Sequence, residues 1–216
     1  MEKNHLILLL MATHLEAKPF ILELSLIKEE SEPFPVYKNK NLILVISGIG
    51  KANAAMACAY SCLKFAPSCV VNLGAAGATG SSYNLGEVFH INKTYEYDRP
   101  QFKTKAPHKH VPDVLKDFSC AKIATLDRAV LDPLERQNIS KTADLIDMES
   151  ASVIQACRIF KTKCYIFKFV SDTPEHTTDD DIVENIREYR NSFFDFIRQS
   201  VLPVFGCLRA VLRGEI

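Results

Sequence analysis

The sequence lacks the features that would place it at once with nucleic-acid-binding, membrane or secreted proteins. Its 216 residues carry 26 basic and 26 acidic side chains. Because the formal net charge is zero, we expect no overall attraction to nucleic acid or to an anionic membrane surface. The apolar run HLILLLMA near the N-terminus is too short to span a bilayer. It is followed by no small-residue cleavage site of the usual signal-peptide form, so it is interpreted as a buried strand.

Motifs for metals and cofactors are also missing. The seven cysteines are odd in number and show no CxxC spacing, which predicts reduced thiols in a cytoplasmic protein. Cys58 and Cys62 lie one helical turn apart and are predicted as small core residues, because two ligands alone do not make a zinc site. His108 and His110 have ligand-like spacing but no third ligand nearby. Since neither glycine-rich turn matches a P-loop or a dinucleotide fingerprint, we expect no metal and no cofactor.

Strand-like apolar runs alternate along the chain with helix-like segments. Strands are predicted over 6–12, 41–47, 69–77, 86–97, 121–126 and 164–170, and helices over 51–65, from Met148 onward, and over 179–213 with a kink at Pro203. Segment 28–41 is predicted as a charged loop or hairpin and segment 98–113 as a polar loop. Continuous apolar strands interleaved with helices indicate an α/β sheet covered on both faces. With no linker visible, residues 1–216 are predicted to form one domain.

Three acidic residues follow predicted strands, where ligands bind in this class of fold. Glu16, Glu149 and Asp172 are expected at the same rim of the sheet. Two glycine-rich turns, SGIGKANAA (47–55) and NLGAAGATG (72–80), bring backbone amides close to whatever binds there. A single acid after a strand usually caps a helix or is solvated. Three acids together with two such turns favour a binding site.

Four motifs in this order and spacing carry a family resemblance. SGIGKANAA, NLGAAGATG, DMESAS and FVSDT resemble those of the methylthioadenosine/S-adenosylhomocysteine nucleosidases, in the purine nucleoside phosphorylase superfamily. Futalosine hydrolases of menaquinone biosynthesis are close relatives with similar motifs. The resemblance implies a three-layer αβα fold around a central mixed, twisted sheet. It also implies a cytoplasmic homodimer whose partner closes the 5′ end of the pocket.

The resemblance assigns a role to each of the three acids. Asp172 corresponds to the general acid that protonates the leaving purine, because adenine is a poor leaving group as an anion. Glu16 corresponds to the base that activates water. Glu149, with Met148 before it, corresponds to the residues that hold the ribose and favour a cationic transition state. The substrate-binding residues implied in this way are Glu149, Met148, Ile49, Gly77, Ala75, Val130, Ser171 and Lys168.

The sequence departs from the family pattern in the base pocket. Ala75 stands where a hydroxyl residue is usual, Lys168 replaces an arginine, and Ala129 replaces an aromatic residue that stacks on adenine. These changes bear on the preferred substrate rather than on the hydrolytic centre. Arg128 beside the pocket is either a partner for a substrate carboxylate, as in futalosine, or a surface arginine.

The segment VVNLGAAG lacks the arginine with which family phosphorylases bind phosphate. A dianionic co-substrate would be poorly held without guanidinium donors, so hydrolysis is favoured. The predicted function is a nucleosidase that releases the purine base from a 5′-substituted adenosine. The alternatives are a futalosine or aminodeoxyfutalosine hydrolase, a nucleoside phosphorylase, and a non-catalytic nucleoside-binding protein.

Overall fold

The computed structural model describes residues 6–176 and 178–206, and within them ten strands form one mixed sheet. The strands are β1 (Ile7–Met11), β2 (Ile27–Glu30), β3 (Val36–Lys38), β4 (Leu42–Ile46), β5 (Cys69–Ala78), β6 (Val88–Pro100), β7 (Pro107–His110), β8 (Cys120–Thr125), β9 (Leu145–Asp147) and β10 (Lys163–Asp172). β1 runs parallel to both β4 and β5, and the hairpin β2–β3 extends the sheet beyond β4. β10 pairs with β5 and with β6. Strands β5, β10, β6, β8 and β9 therefore close a circuit of pairings.

Helices cover both faces of the sheet. They are α1 (His14–Glu23), α2 (Lys51–Phe65), α3 (Pro133–Ile139), α4 (Ser150–Ile159) and α5 (Asp179–Phe196). In β1, Leu8 shares a buried apolar cluster with Ile154 of α4, whereas Leu9 shares the opposite cluster with Phe20 of α1 and Phe193 of α5. Alternate residues of one strand thus enter two cores, which is why the strands are continuously apolar. The α/β class with a doubly covered sheet is confirmed.

Several elements differ from the sequence-based predictions. Strand β7 and the end of β6 occupy part of segment 98–113, so its prediction as a loop is wrong there. Segment 28–41 contains most of the hairpin, one of the two alternatives considered. Helices α1 and α3 are not among the predicted elements, because Pro19 interrupts the pattern of α1 and α3 has only seven residues. Neither helix gives a long apolar periodicity.

The C-terminal helix also differs from its prediction. It is α-helical from Asp179 to Phe196, continues as a π-helical segment over Ile197–Val201, and ends in a 3-10 helix over Leu202–Phe205. The regular helix therefore stops well before Pro203, which lies within the 3-10 helix. The predicted residues 207–213 lie outside the described part of the chain.

The cysteines of α2 and α4 lie in the core. Cys58, Cys62 and Cys157 are buried with free thiols, and the Sγ atoms of Cys58 and Cys157 are 3.5 Å apart. The core position predicted for Cys58 and Cys62 is confirmed. Within residues 6–176 and 178–206, no helix combines the length and the apolar character needed to cross a bilayer.

Candidate active site

A cavity opens where β1, β5, β9 and β10 end. The structure brings together at this rim nine of the ten residues that the sequence predicted for the site, namely Glu16, Ile49, Ala75, Gly77, Val130, Met148, Glu149, Ser171 and Asp172. The tenth, Lys168, is only 1 % exposed and contacts the carboxylates of Asp147 and Glu149 instead of lining the cavity. Lys168 is therefore placed to support the site from behind.

Glu16 is held in one orientation by the start of α1. Thr13 and Glu16 form a capping box, in which Glu16 Oε2 accepts hydrogen bonds from Thr13 N at 3.0 Å and Thr13 Oγ1 at 2.6 Å. Its other oxygen, Oε1, accepts from Ala75 N at 2.9 Å. A Cβ atom at Gly74 would lie 2.6 Å from that oxygen, so only glycine lets β5 pass this closely. Both oxygens are thus fixed by donors while the residue lines the cavity.

Asp172 ends β10, where a shift in register places it opposite Gly77 of β5. Its Oδ1 accepts a hydrogen bond from Ser171 Oγ at 2.6 Å. Its Oδ2 forms a buried ion pair with Nη2 of Arg136. A Cβ atom at Gly77 would lie 2.6 Å from Oδ2. This carboxylate, like that of Glu16, therefore occupies space that a glycine leaves open.

Arg136 is a component of the site that the sequence analysis missed. It comes from α3, is 2 % exposed, and lines the cavity. Besides its ion pair with Asp172, its Nε donates to Val130 O and its Nη1 to Ala78 O, both at 2.8 Å. The only signal in the sequence is the helix start, where Asp132 caps a helix with Pro133 at its first turn. Nothing in that pattern indicates that the arginine points inward.

Glu149 lies between β9 and α4, at the N-cap position of α4. Its Oε1 accepts a hydrogen bond from Gly50 N at 3.1 Å, and its Oε2 is 3.7 Å from Lys168 Nζ. Burial raises the pKa of Glu149 to about 7; Lys168 opposes this shift, and the charge of Asp147 adds to it. The carboxylate predicted to hold the ribose therefore titrates near neutral pH.

Asp147 and Lys168 form the charged layer behind Glu149. Lys168 Nζ is 3.0 Å from Asp147 Oδ2, and the same oxygen accepts from Ser150 N at 2.9 Å. Asp147 Oδ1 accepts from Thr125 Oγ1 at 2.7 Å. Burial alone would lower the pKa of Lys168, but the charges of Asp147 and Glu149 raise it above its ordinary value. Lys168 is thus a buried ammonium that balances the carboxylates of the cavity.

The positions that depart from the family pattern all lie at or near the cavity. Ala75 offers no hydroxyl, but its backbone N–H holds Glu16. Ala129 and Arg128 both line the cavity. The Arg128 side chain is 59 % exposed and its Nη2 lies 2.5 Å from Glu135 Oε1. Arg128 is therefore at the cavity mouth and already has an acidic partner.

Within the part of the chain that the structure describes, no group of three or more His, Cys, Asp or Glu side chains could hold a metal ion. Apart from the exposed pair Arg128–Glu135 at the mouth, the ionisable groups around the cavity are four buried acids and two buried cations, namely Glu16, Asp147, Glu149, Asp172, Arg136 and Lys168. When all are ionised, negative charge exceeds positive charge by two. Such an environment suits a reaction in which positive charge develops on the bound molecule.

Comparison with known proteins agrees with this geometry. Residues 7–139 and 123–201 match the phosphorylase superfamily. An aminodeoxyfutalosine nucleosidase of Campylobacter jejuni is 28 % identical over 64 % of this chain and 71 % of its own length. A 5′-methylthioadenosine/S-adenosylhomocysteine nucleosidase of Bacillus velezensis is 30 % identical over 63 % of this chain and 70 % of its own.

A solved structure shows the same fold. The 5′-methylthioadenosine/S-adenosylhomocysteine nucleosidase of Helicobacter pylori, crystallised with butyl-thio-DADMe-Immucillin-A, superposes with a TM-score of 0.82. The match covers 94 % of this chain and 100 % of that chain at 18 % identity. The predicted nucleoside phosphorylase-like fold is confirmed. Since the family match extends over most of the sequence, this chain belongs to the phosphorylase superfamily, and its relatives there are nucleosidases.

Proposed function

We propose that this protein is a purine nucleosidase, which hydrolyses the N-glycosidic bond of a 5′-substituted nucleoside. The observation that carries the proposal is that Glu16, Glu149 and Asp172 line one cavity, each held by hydrogen bonds to its carboxylate. The names of the relatives support the same reaction class. The test is to replace the three acids one at a time. Each variant should keep the fold and lose the release of base.

The reaction is a displacement by water in which Glu16 and Asp172 handle the two protons. The oxygen of water bonds to C1′ of the ribose, and one proton of that water passes to Glu16. The C1′–N9 bond breaks and its electron pair stays with the purine, which takes a proton from Asp172 at N7. Asp172 carries this proton on Oδ1, because Oδ2 is occupied by Arg136. Transfer of a proton from Glu16 back to Asp172 through water restores the enzyme.

Glu149 acts on the sugar in this scheme. An ionised carboxylate accepts hydrogen bonds from ribose hydroxyl groups and attracts the positive charge that develops on the ring as the bond breaks. Lys168 and the N–H of Gly50 fix its two oxygens. Glu149→Gln should therefore slow turnover, weaken ribose recognition and reduce discrimination against a 2′-deoxy substrate.

Hydrolysis is favoured over phosphorolysis by the partners of the cavity arginines. Arg136 is paired with Asp172 and Arg128 with Glu135. The positive charge of each guanidinium is therefore already balanced by an acid, and the cavity holds no net positive charge that would attract a phosphate dianion. We expect the rate and the products to be the same with and without phosphate. Accumulation of a sugar 1-phosphate in phosphate buffer would reverse this part of the proposal.

The leading substrate class is a 5′-substituted adenosine of the methylthioadenosine or adenosylhomocysteine type, supported by the name of the Bacillus relative. The second candidate is futalosine or aminodeoxyfutalosine. It is supported by the Campylobacter relative. Arg128 at the cavity mouth can exchange its exposed partner Glu135 for a substrate carboxylate, which futalosine and adenosylhomocysteine both carry and methylthioadenosine lacks. A panel of these four compounds, scored for released base and sugar, tests the proposal. Binding of nucleosides without release of base from any of them would favour a binding protein instead.

We also propose that the protein is a homodimer. Ile49 lines the cavity and is 55 % exposed, and Met56 and Leu63 are exposed by 55 % and 74 % two turns apart on α2. Apolar side chains of this size, exposed together, are typical of an interface. Sedimentation velocity should give a dimer at micromolar concentration, and Met56→Glu should shift it toward the monomer. A monomeric parent protein would contradict the proposal.

A further inference from the structure

Arg136 is a buried cation in the cavity that the proposed hydrolysis does not require. Three of its five N–H groups donate to Val130 O, Ala78 O and Asp172 Oδ2. Because a guanidinium has two N–H groups on each terminal nitrogen, one N–H on Nη1 and one on Nη2 are left without an acceptor among the described residues. Arg136 lines the cavity, and a molecule bound there would be the acceptor for these two donors.

The ion pair also changes what Asp172 can offer. Its Oδ2 already accepts a hydrogen bond from Arg136. Its Oδ1 accepts one from Ser171 Oγ, and Oδ1 is the oxygen that carries the proton in the proposed reaction. A Cβ atom at Gly77 would lie 2.6 Å from Asp172 Oδ2 and 3.1 Å from Arg136 Nη1. Gly77 of β5 thus leaves space for both members of the Asp172–Arg136 ion pair, and not for the carboxylate alone. This end of the cavity presents hydrogen-bond donors, and each oxygen of Asp172 already accepts one hydrogen bond.

Purine bases differ in the hydrogen-bonding group that lies beside N7. Adenine shows the N7 acceptor next to an amino group, which is a donor, whereas a 6-oxopurine shows two adjacent acceptors, N7 and O6. Adenine would need both a donor and an acceptor from Asp172. Arg136 already uses one of the two lone pairs of Asp172 Oδ2 and draws its negative charge, so this oxygen is a weaker acceptor for an amino group. Arginine is the side chain that most often recognises the N7 and O6 pair of a purine. The donors of this site match a 6-oxopurine.

We propose that Arg136 determines base specificity, and that this cavity favours a nucleoside whose leaving base carries an oxygen at position 6 over one that carries an amino group. The inference rests on the proposed nucleosidase function. Within it, Arg136 favours a 6-oxopurine substrate such as futalosine over the adenosine class that the name of the Bacillus relative suggests. Asp172 Oδ1 delivers its proton to N7, while an N–H of Arg136 donates to O6 and stabilises the negative charge that bond cleavage moves onto the base. Arg136 itself gives up no proton, since its pKa is too high.

The test compares two substrates that differ only at position 6, methylthioadenosine and methylthioinosine. We expect the parent enzyme to favour methylthioinosine by about tenfold to a hundredfold in kcat/KM. Arg136→Gln provides a donor and an acceptor and frees Asp172 Oδ2, so the preference should move toward methylthioadenosine by about tenfold or more. Arg128→Gln, a matched arginine variant at the same cavity, should leave the ratio of the two substrates unchanged.

Two results would overturn the assignment. One is a parent enzyme that cleaves methylthioadenosine as fast as methylthioinosine, or faster, a measurement that needs no variant. The other is an unchanged ratio in a folded Arg136→Gln protein. Calorimetric binding of free hypoxanthine and adenine gives a readout independent of turnover: the parent should bind hypoxanthine more tightly. If neither nucleoside is cleaved but hypoxanthine is still preferred, the nucleosidase proposal fails while the role of Arg136 stands.

Discussion

The two ends of the cavity, proposed here to bind the base and the sugar, each place a buried cation against an acid, but with different chemistry. At the base end, the planar guanidinium of Arg136 is fixed by two carbonyl oxygens and meets one carboxylate, Asp172. At the sugar end, the ammonium of Lys168 lies between Asp147 and Glu149, so that one positive charge faces two acids. The base end has one cation for each acid, whereas the sugar end has an excess of acid.

This difference explains how each end responds to its surroundings. A guanidinium offers donors in fixed directions, while an ammonium acts as a point charge. The base end should therefore discriminate by the geometry of hydrogen bonds. The sugar end should respond to pH, because two acids share one cation and burial raises the pKa of Glu149 to about 7. Four predictions test this contrast.

The largest effect is expected at the base end. Asp172→Asn keeps an oxygen that accepts from Arg136 but cannot deliver a proton to the purine. The chemical step should fall by roughly two to four orders of magnitude, while the affinity for a non-hydrolysable nucleoside analogue changes little. Single-turnover rates and calorimetry measure the two quantities. If Asp172→Asn turned over nearly as fast as the parent enzyme, the assignment of the acid would be wrong.

The next effect concerns stability at the sugar end. Lys168→Met leaves Asp147 and Glu149 buried without their cation and should lower the free energy of unfolding by about 3–5 kcal/mol. Lys168→Arg retains the charge and serves as the matched control, with a much smaller loss. Urea denaturation at pH 7 measures both variants. A loss below about 1 kcal/mol for Lys168→Met would show that the charged layer is not structural.

The third prediction uses the titration of Glu149. Only the ionised carboxylate stabilises a sugar cation, so kcat/KM should rise with pH through about 7. Glu149→Gln should lack this rise. Between pH 4.5 and about 7, Glu149 keeps its proton in the folded protein but has released it in the unfolded chain. The stability of the parent relative to Glu149→Gln should therefore fall by about 3 kcal/mol over that range as pH increases.

A pH profile that keeps its rise in the Glu149→Gln variant would assign the titration to another group. Paired denaturation curves at pH 5 and pH 7 distinguish the stability effect from the catalytic one. A relative stability that increases with pH would contradict the raised pKa of Glu149.

The smallest effect is expected at Arg128, which lies at the cavity mouth and belongs to neither buried pair. Its ion pair with Glu135 is largely exposed, so Arg128→Gln should change the free energy of unfolding by less than about 1 kcal/mol. Its kcat/KM should fall for substrates with a 5′ carboxylate and stay the same for methylthioadenosine. An equal loss of kcat/KM on both kinds of substrate would indicate that Arg128 does not recognise the 5′ substituent.

The central strands and the three acids were predictable for physical reasons. A sheet buried on both faces requires continuous apolar runs, which the sequence displays in β1, β4, β5 and β10. Acids that follow such runs must reach the rim where the strands end, and Glu16, Glu149 and Asp172 do so. Glu16 also belongs to a capping box with Thr13, a local signal of α1 that the apolar pattern alone does not give.

The cations were not predictable in the same way. Arg136 lies among polar residues on a seven-residue helix, and its burial follows from where α3 packs rather than from any periodicity. Lys168 was predicted to bind substrate, yet it lies behind Glu149. Its neighbours Phe167 and Phe169 belong to one core, so strand alternation turns Lys168 to the other face. Strand alternation thus predicts the face of the sheet on which Lys168 lies, whereas its partners on that face depend on tertiary packing.

The two close approaches on β5 also limit how this protein can change over time. A methyl group at position 74 would displace Glu16, and one at position 77 would displace Asp172. Substitution at either glycine is therefore disfavoured for as long as the acid beside it is needed. In a descendant that no longer used Asp172, position 77 would become free to accept alanine or serine, whereas the φ of +155° at Gly74 would still favour glycine there. Glycine at position 77 is therefore expected to persist for as long as Asp172 and Arg136 occupy the space beside it, even where the substrate has changed.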